Sequence, residues 1–231
     1  MKYTNIHNKV IIRNIVFDFG NVLFDLDLPA IGREIRRLVG DQYEVLRERL
    51  QQSGVFELYE TGGLSTEEFV DAIRFAGSAP LSAGQVVAAW NSIFIGMPAE
   101  RFDMLLRLRR HYNVFLLSNI NELHAAWIDD YLLREHGISD FHSRYFDGVY
   151  YSHLIRLRKP DPEIYEYVLA DAEILPVETL FIDDLEENVA AARAAGIQGI
   201  VKQPDVDVTT LLSDYLKEPV SDPVPPFSAT T

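Results

Sequence analysis

Three well-separated stretches of this chain share one ending. Residues 11–18, 114–119 and 180–184 are apolar, mostly β-branched or aromatic runs that close on polar side chains. The first closes on Asp18, the second on Ser118-Asn119 and the third on Asp183-Asp184. Short apolar runs of this composition, bounded by turn residues, read as buried strands. From residue 98 onward they alternate with helical periodicity, which argues a parallel sheet with helices on both faces. Parallel strands deliver their C-terminal ends to one edge, and in open α/β sheets that edge is where ligands bind. This pattern constrains the chain more than any other feature: it predicts an α/β fold whose functional groups gather at one sheet edge.

The block between the first two strands differs. Residues 28–97 show helical periodicity and no convincing strand. Ile31, Ile35, Leu38 and Val39 form one apolar stripe, and Ser65 with Glu68 is a capping box that opens a helix bearing Phe69 and Ile73. A further helix is predicted over residues 82–94. Placed straight after the first strand, this block reads as a helical cap inserted into the sheet domain. Downstream, helices are predicted over residues 98–112, 122–135, 187–195 and 211–216. Strands are predicted over residues 145–151 and 199–201. Asp161-Pro162 reads as a helix start, with Asp as N-cap and Pro at the first helical position. Residues 218–231 are proline-rich with little apolar periodicity and read as an extended or disordered tail.

Composition removes several function classes. The net charge of −14 opposes nucleic acid and anionic membrane as partners, because both require a positive field. It leaves room for a small anionic substrate in one basic pocket. The chain has no cysteine, which excludes disulfides, thiolate catalysis and cysteine-based metal centres. Residues 1–9 lack the apolar segment of a signal peptide and no apolar run is long enough to span a bilayer, so a cytoplasmic location is expected.

Each strand ending alone is ordinary. Ser-Asn after a strand often caps a helix, and the basic stretch Arg158-Lys159-Pro160 alone would be a solvated loop. Asp183-Asp184 says more, since adjacent carboxylates repel unless a cation sits near them. Order and spacing together are specific. Val16-Phe17-Asp18-Phe19-Gly20-Asn21-Val22, Leu117-Ser118-Asn119, Arg158-Lys159-Pro160 and Phe181-Ile182-Asp183-Asp184 with Asn188 resemble the four motifs of the haloacid dehalogenase-like (HAD) hydrolase superfamily. The resemblance covers about residues 10–217. Within the superfamily the likeness is strongest to bacterial sugar-phosphate phosphatases acting on glucose 1-phosphate, and more distant to the phosphatase domain of soluble epoxide hydrolases. It rests on residues 60–65, 118–124 and 158–165.

The resemblance implies a Rossmann-like, doubly wound parallel core made of residues 10–27 and 98–217, with a small α-helical cap at residues 28–97. It implies a Mg²⁺-dependent phosphohydrolase acting on a small phosphorylated metabolite, a sugar phosphate first. Asp18 would be the nucleophile that forms an aspartyl-phosphate. Ser118 and the backbone amide of Asn119 would hold phosphoryl oxygens, and Lys159 would bind phosphate and neutralise Asp18 and Asp183. The metal would lie on Asp18, the backbone carbonyl of Gly20 and Asp184, with Asp183 supporting it or binding through water. A hard dication with oxygen ligands suits a carboxylate that must approach a phosphate dianion.

One residue departs from the superfamily pattern. Most of its phosphatases carry a second Asp two residues after the nucleophile, where it protonates the leaving oxygen; here that position is Gly20. General acid–base help is worth about 10²–10⁴-fold. Two alternative readings therefore accompany the phosphatase. One is a 2-haloacid dehalogenase, which uses the same nucleophile without metal and has no need of Asp183-Asp184. The other is a catalytically weak phosphate-binding or regulatory protein. No two of the six histidines stand at a metal-ligand spacing, and solvated or core positions are expected for them; His124 is the one closest to a motif. Arg33, Arg36, Arg37, Arg47 and Arg49 read as a solvated helix face. Phe56, Tyr59 and Glu60 precede Gly62-Gly63 in what reads as a cap loop facing the site, with substrate contact the sharper alternative to a packing role.

Overall fold

The structure is a computed structural model and describes residues 11–77 and 81–216. The proline-rich tail and residues 1–10 lie outside the described residues. In chain order the elements are β1 (Asn14–Phe17), β2 (Asp25–Leu26), α1 (Ala30–Val39), α2 (Tyr43–Ser53), α3 (Val55–Glu60), α4 (Thr66–Ala76), α5 (Ala83–Trp90), β3 (Phe94–Gly96) and α6 (Ala99–Leu108). There follow β4 (Asn113–Ser118), α7 (Glu122–His136), α8 (Phe141–Tyr145), β5 (Gly148–Tyr151), α9 (Ser152–Ile155), α10 (Pro162–Asp171), β6 (Thr179–Asp183), α11 (Glu186–Ala194), β7 (Gln198–Val201) and α12 (Val208–Leu211).

Five strands form one parallel sheet in the order β5-β4-β1-β6-β7. Phe17 at the end of β1 lies opposite Leu116 of β4 and Ile182 of β6. The residues just beyond it, Asp18, Ser118 and Asp183, therefore reach the same edge. The strand order runs outward from β1 in both directions, so the crevice at its C-terminal end is the topological switch point of the sheet.

Alternate residues of each central strand feed different cores. Ile15 and Phe17, Val114 and Leu116, and Leu180 and Ile182 point into one apolar cluster. Val16, Phe115, Leu117 and Phe181 point into the other. Both faces are covered, which is why these strands are apolar throughout rather than alternating. Helices α1–α5 own a third cluster, built from Ile35, Leu46, Leu50, Tyr59, Phe69, Ile73 and Val86 among others. At about 1.5–3 kcal/mol per large apolar side chain removed from water, that cluster holds the five helices as a unit.

Several sequence expectations change in detail. The capping box of α4 forms, with the Glu68 amide donating to Ser65 Oγ and the Ser65 amide to Glu68 Oε2. Asp161 takes the N-cap position of α10 without a side-chain cap bond, and Pro162 follows it. Residues 145–151 are not one strand. Phe141 and Tyr145 stand one helical turn apart and both pack on Phe102, so helix α8 ends at Tyr145 and β5 begins at Gly148. The last helix starts earlier than expected because Asp207 Oδ1 accepts the Thr209 amide and caps it. The block over residues 28–97 is not purely helical either. Its exit, β3, pairs antiparallel with β2 on its entrance, Asp25 opposite Gly96 and Leu26 opposite Phe94. Strands of two and three residues are too short for a periodic signal.

Candidate active site

Lys159 gathers the site. It arrives on the loop before α10, with its carbonyl accepting from Asn119 Nδ2 (2.8 Å) and its amide donating to Asn119 Oδ1 (2.9 Å). The Asn119 side chain thus clamps the lysine backbone, a role its motif position alone did not reveal. The Lys159 ammonium is buried and spends its three N–H donors on Asp18 Oδ1 (2.5 Å), Asp183 Oδ2 (2.7 Å) and the Leu117 carbonyl (3.0 Å). Burial would depress this amine, but Asp18 and Asp183 beside it outweigh the burial and hold its pKa above the usual lysine value.

The three carboxylates differ in how free they are. Asp183 is fully buried. Its oxygens accept from Lys159, from the Leu185 amide (2.8 Å) and twice from Asn188 Nδ2 (3.0 Å each). It is saturated, and its position is fixed. Asp184 is half-buried and accepts from Asn21 Nδ2 at 3.1 Å. Asp18 is held at one oxygen by Lys159, and its amide donates to the Ile182 carbonyl (2.8 Å), which locks the end of β1 against β6. One oxygen from each of the three aspartates lies within 4.8 Å of the other two. Ser118 is buried at the end of β4, one residue past the Leu117 carbonyl that Lys159 grips.

This arrangement sets three carboxylates against one ammonium. Burial, with Asp183 and Asp184 adding to it, pushes the Asp18 carboxyl up to about 7 against the pull of Lys159. Burial also raises Asp184, opposed by its bond from Asn21. Such shifts mark a site with surplus negative charge, two units of which a divalent cation would cancel. The donor set is all oxygen, which fits a hard ion such as Mg²⁺ and not a soft one.

Gly20 follows Asp18 in the loop toward β2. A Cβ placed on it would lie 2.7 Å from Leu26 Cδ1, so an acid at this position would require the tip of that apolar side chain to shift. Asn21, next in line, has φ +55° and joins two segments through its side chain. Sequence reasoning gave it no role. Its place after a glycine in a tight turn, where asparagine tolerates positive φ, was the available signal. Arg101 was missed as well. It is buried and bonds the Leu23 carbonyl, Asp25 and Asp207. Its position four residues before Leu105 on an apolar stripe was legible, but its partners were not.

Other sequence candidates fall elsewhere. His124 is buried, stacks on Trp90 at 5.2 Å and bonds the Trp90 carbonyl and Asn121; burial depresses its pKa to about 4. It is a core histidine joining α5 to α7. Tyr59 is also buried, stacked on Phe69 at 4.0 Å, with its hydroxyl accepting the Leu123 amide (3.0 Å). Phe56 stacks on Trp90, and Glu60 faces Arg158 at 3.5 Å. Arg33, Arg36, Arg37 and Arg47 form exposed ion pairs with Asp27, Glu44 and Glu34, and exposed Arg49 bonds the Ala76 carbonyl, a solvated face as expected. Among the described residues no helix is long and apolar enough to cross a membrane.

The profile of the haloacid dehalogenase-like hydrolases matches residues 12–196. The chain belongs to that family. A D-ribitol-5-phosphate phosphatase of Bacteroides thetaiotaomicron is 31% identical over 189 residues, spanning 81% of this chain and 90% of its own. A sesquiterpene phosphatase of Aspergillus oryzae is 30% identical over 197 residues, 80% of this chain and 87% of its own. A solved HAD family enzyme of B. thetaiotaomicron, in complex with magnesium and inorganic phosphate, superposes with a TM-score of 0.78 at 34% identity, covering 87% of this chain and 98% of its own. The HAD fold here is thus the α/β, Rossmann-like one expected from the sequence.

Proposed function

We propose that this HAD hydrolase is a Mg²⁺-dependent phosphohydrolase of small phosphorylated metabolites, sugar phosphates first, working through an aspartyl-phosphate on Asp18. The observation that carries the reading is the Lys159 ammonium held between Asp18 and Asp183, with an oxygen of Asp184 within 4.8 Å of both aspartates, close enough for Asp18 and Asp184 to share a cation. Relatives named as phosphatases of ribitol phosphate and of sesquiterpenes, and a relative that holds magnesium with phosphate, support it.

Asp18 keeps one carboxylate oxygen outside the grip of Lys159, and that oxygen is the nucleophile. Its bond to phosphorus forms as the bond from phosphorus to the ester oxygen breaks. The departing oxygen takes its proton from water, because Gly20 offers none. Water then attacks the same phosphorus, the bond to Asp18 breaks and inorganic phosphate leaves. Ser118 and the Asn119 amide bind phosphoryl oxygens. Lys159 stays charged throughout and offsets the negative charge that builds at phosphorus. Mg²⁺, held by Asp18, the Gly20 carbonyl and Asp184, supplies the charge that lets a carboxylate meet a phosphate dianion. Asp183, its lone pairs already committed, orients Lys159 from behind. Residues 28–97 act as a cap over Asp18 that selects substrate and excludes bulk water.

Gly20 favours a second reading, a phosphate binder with little turnover. A screen of the purified protein against phosphorylated metabolites, with Mg²⁺ and with EDTA, separates the two. Phosphate release that requires Mg²⁺ is expected. Phosphate binding without release on any substrate selects the binder, and metal-indifferent hydrolysis contradicts both.

A further inference from the structure

The segment that enters the helical block is tied to the candidate metal site by one side chain. Asn21 Oδ1 accepts the Leu26 amide at 3.2 Å, and Asn21 Nδ2 donates to Asp184 Oδ2 at 3.1 Å. The carboxamide satisfies both partners at once. The amide requires an acceptor and the carboxylate requires a donor, so the two together fix which way the group points. An aspartate here would set a second carboxylate against Asp184. The backbone is specialised as well: φ is +55°, and the Asn21 amide donates to the Phe24 carbonyl at 2.7 Å.

Leu26 is the far end of that linker. It pairs with Phe94 on the chain leaving the helical block, and its side chain lies over Gly20. The near part of the linker is held by a second side chain. Arg101 Nη1 donates to the Leu23 carbonyl (2.9 Å) and to Asp25 Oδ1 (2.8 Å), and its Nε and Nη2 are anchored on Asp207. Arg101 thus fixes residues 23–25 to the sheet domain, while Leu26, where the two linkers pair, is held by Asn21.

The geometry points to Asn21 as a positioning residue that couples occupancy of the metal site to the placement of the helical block. A cation on Asp184 fixes that carboxylate; through Asn21 the fixed carboxylate holds the Leu26 amide, and with it the β2–β3 pair on which the helices hang. The converse holds by linkage: a linker held in this position preorganises Asp184 for the cation. This inference rests on the proposed Mg²⁺ site.

The test uses the full chain and Mg²⁺ alone, with no substrate. Amide hydrogen exchange of residues 23–26 is followed with and without Mg²⁺, and Mg²⁺ affinity is measured by calorimetry in wild type and in Asn21→Gly, which keeps the positive φ accessible. Slower exchange at Leu26 on adding Mg²⁺ is expected in wild type. Asn21→Gly is expected to bind Mg²⁺ about tenfold more weakly, the scale of losing a partner that orients a metal ligand, and to show no Mg²⁺-dependent change at Leu26. Mg²⁺ binding by wild type that leaves exchange at residues 23–26 unaltered overturns the coupling, even if the variant does not fold. So does affinity within about twofold of wild type in a folded Asn21→Gly. Absence of any Mg²⁺ binding by wild type removes the metal site itself and the proposed function with it, a result distinct from the other two.

Discussion

At the sheet edge Lys159, Asp183 and Asn188 are buried and held by directional polar bonds, whereas helices α1–α5 bury Phe69, Tyr59, Leu46 and their neighbours. Among the described residues, the buried polar and charged side chains all lie outside residues 30–90. The two regions are stabilised by different physics. The helical block gains from apolar burial, which is nondirectional and tolerant of exchange. The edge buries charges whose attraction only offsets their desolvation, an arrangement that makes sense for chemistry and adds little to stability. Four segments far apart in sequence must meet within hydrogen-bonding distance there, so the edge depends on the parallel sheet for its geometry. The helical block depends mainly on itself.

If that contrast is right, removing one charge at the edge should cost as much as emptying a large volume in the block. Lys159→Met leaves Asp18 and Asp183 buried without their cation. A loss of about 3–5 kcal/mol is expected in denaturant unfolding, the cost of breaking a buried ion pair, and Lys159→Met with Asp18→Asn should recover part of it. Full stability in the single variant would show that the ammonium is not the keystone of the edge. Phe69→Ala should cost a similar amount, about 3–5 kcal/mol, while Mg²⁺ affinity stays near wild type. A parallel fall in Mg²⁺ affinity would mean that the two regions are not separable in this way.

The smallest expected effect lies at their junction. His124 is held neutral by burial, with a pKa near 4 against 6.5 unfolded. The unfolded chain takes up a proton first as pH falls, so the His124 contribution is complete above about 6.5 and is lost on the way down to about 4. From that shift the loss is about 3 kcal/mol, and it acts on the contact between Trp90 and α7. Thermal melts from pH 7 to 4 should fall more steeply for wild type than for His124→Gln. Parallel slopes would place no neutral histidine at this contact.

The residues that the sequence exposed are those carried by long patterns. Asp18, Ser118 and Asp183 were legible because each terminates an apolar strand, and β1, β4 and β6 bring those ends to one edge. Lys159 was legible by motif, although its three bonds depend on Asn119 clamping its backbone. What escaped were contacts made by turns. Asn21 acts through a positive φ, Leu26 through the absence of a side chain at Gly20, and Arg101 through Asp207, which lies 106 residues away. None of these leaves a periodic trace. Tyr145 shows the opposite error: a run of aromatic residues looks like a strand until the one-turn spacing of Phe141 and Tyr145 on Phe102 is seen.

The central claim is that Asp18 becomes phosphorylated. It is tested most directly by acid-quenching the enzyme during turnover of a substrate found in the screen, with Mg²⁺ present, and mapping any phosphoryl group by peptide mass spectrometry. The account predicts a phosphoryl group on the peptide containing Asp18, none in the Asp18→Asn variant, and a loss of turnover in that variant of at least about 10⁴-fold. Turnover by Asp18→Asn at a rate near wild type, or a phosphoryl group trapped on another residue, would contradict it.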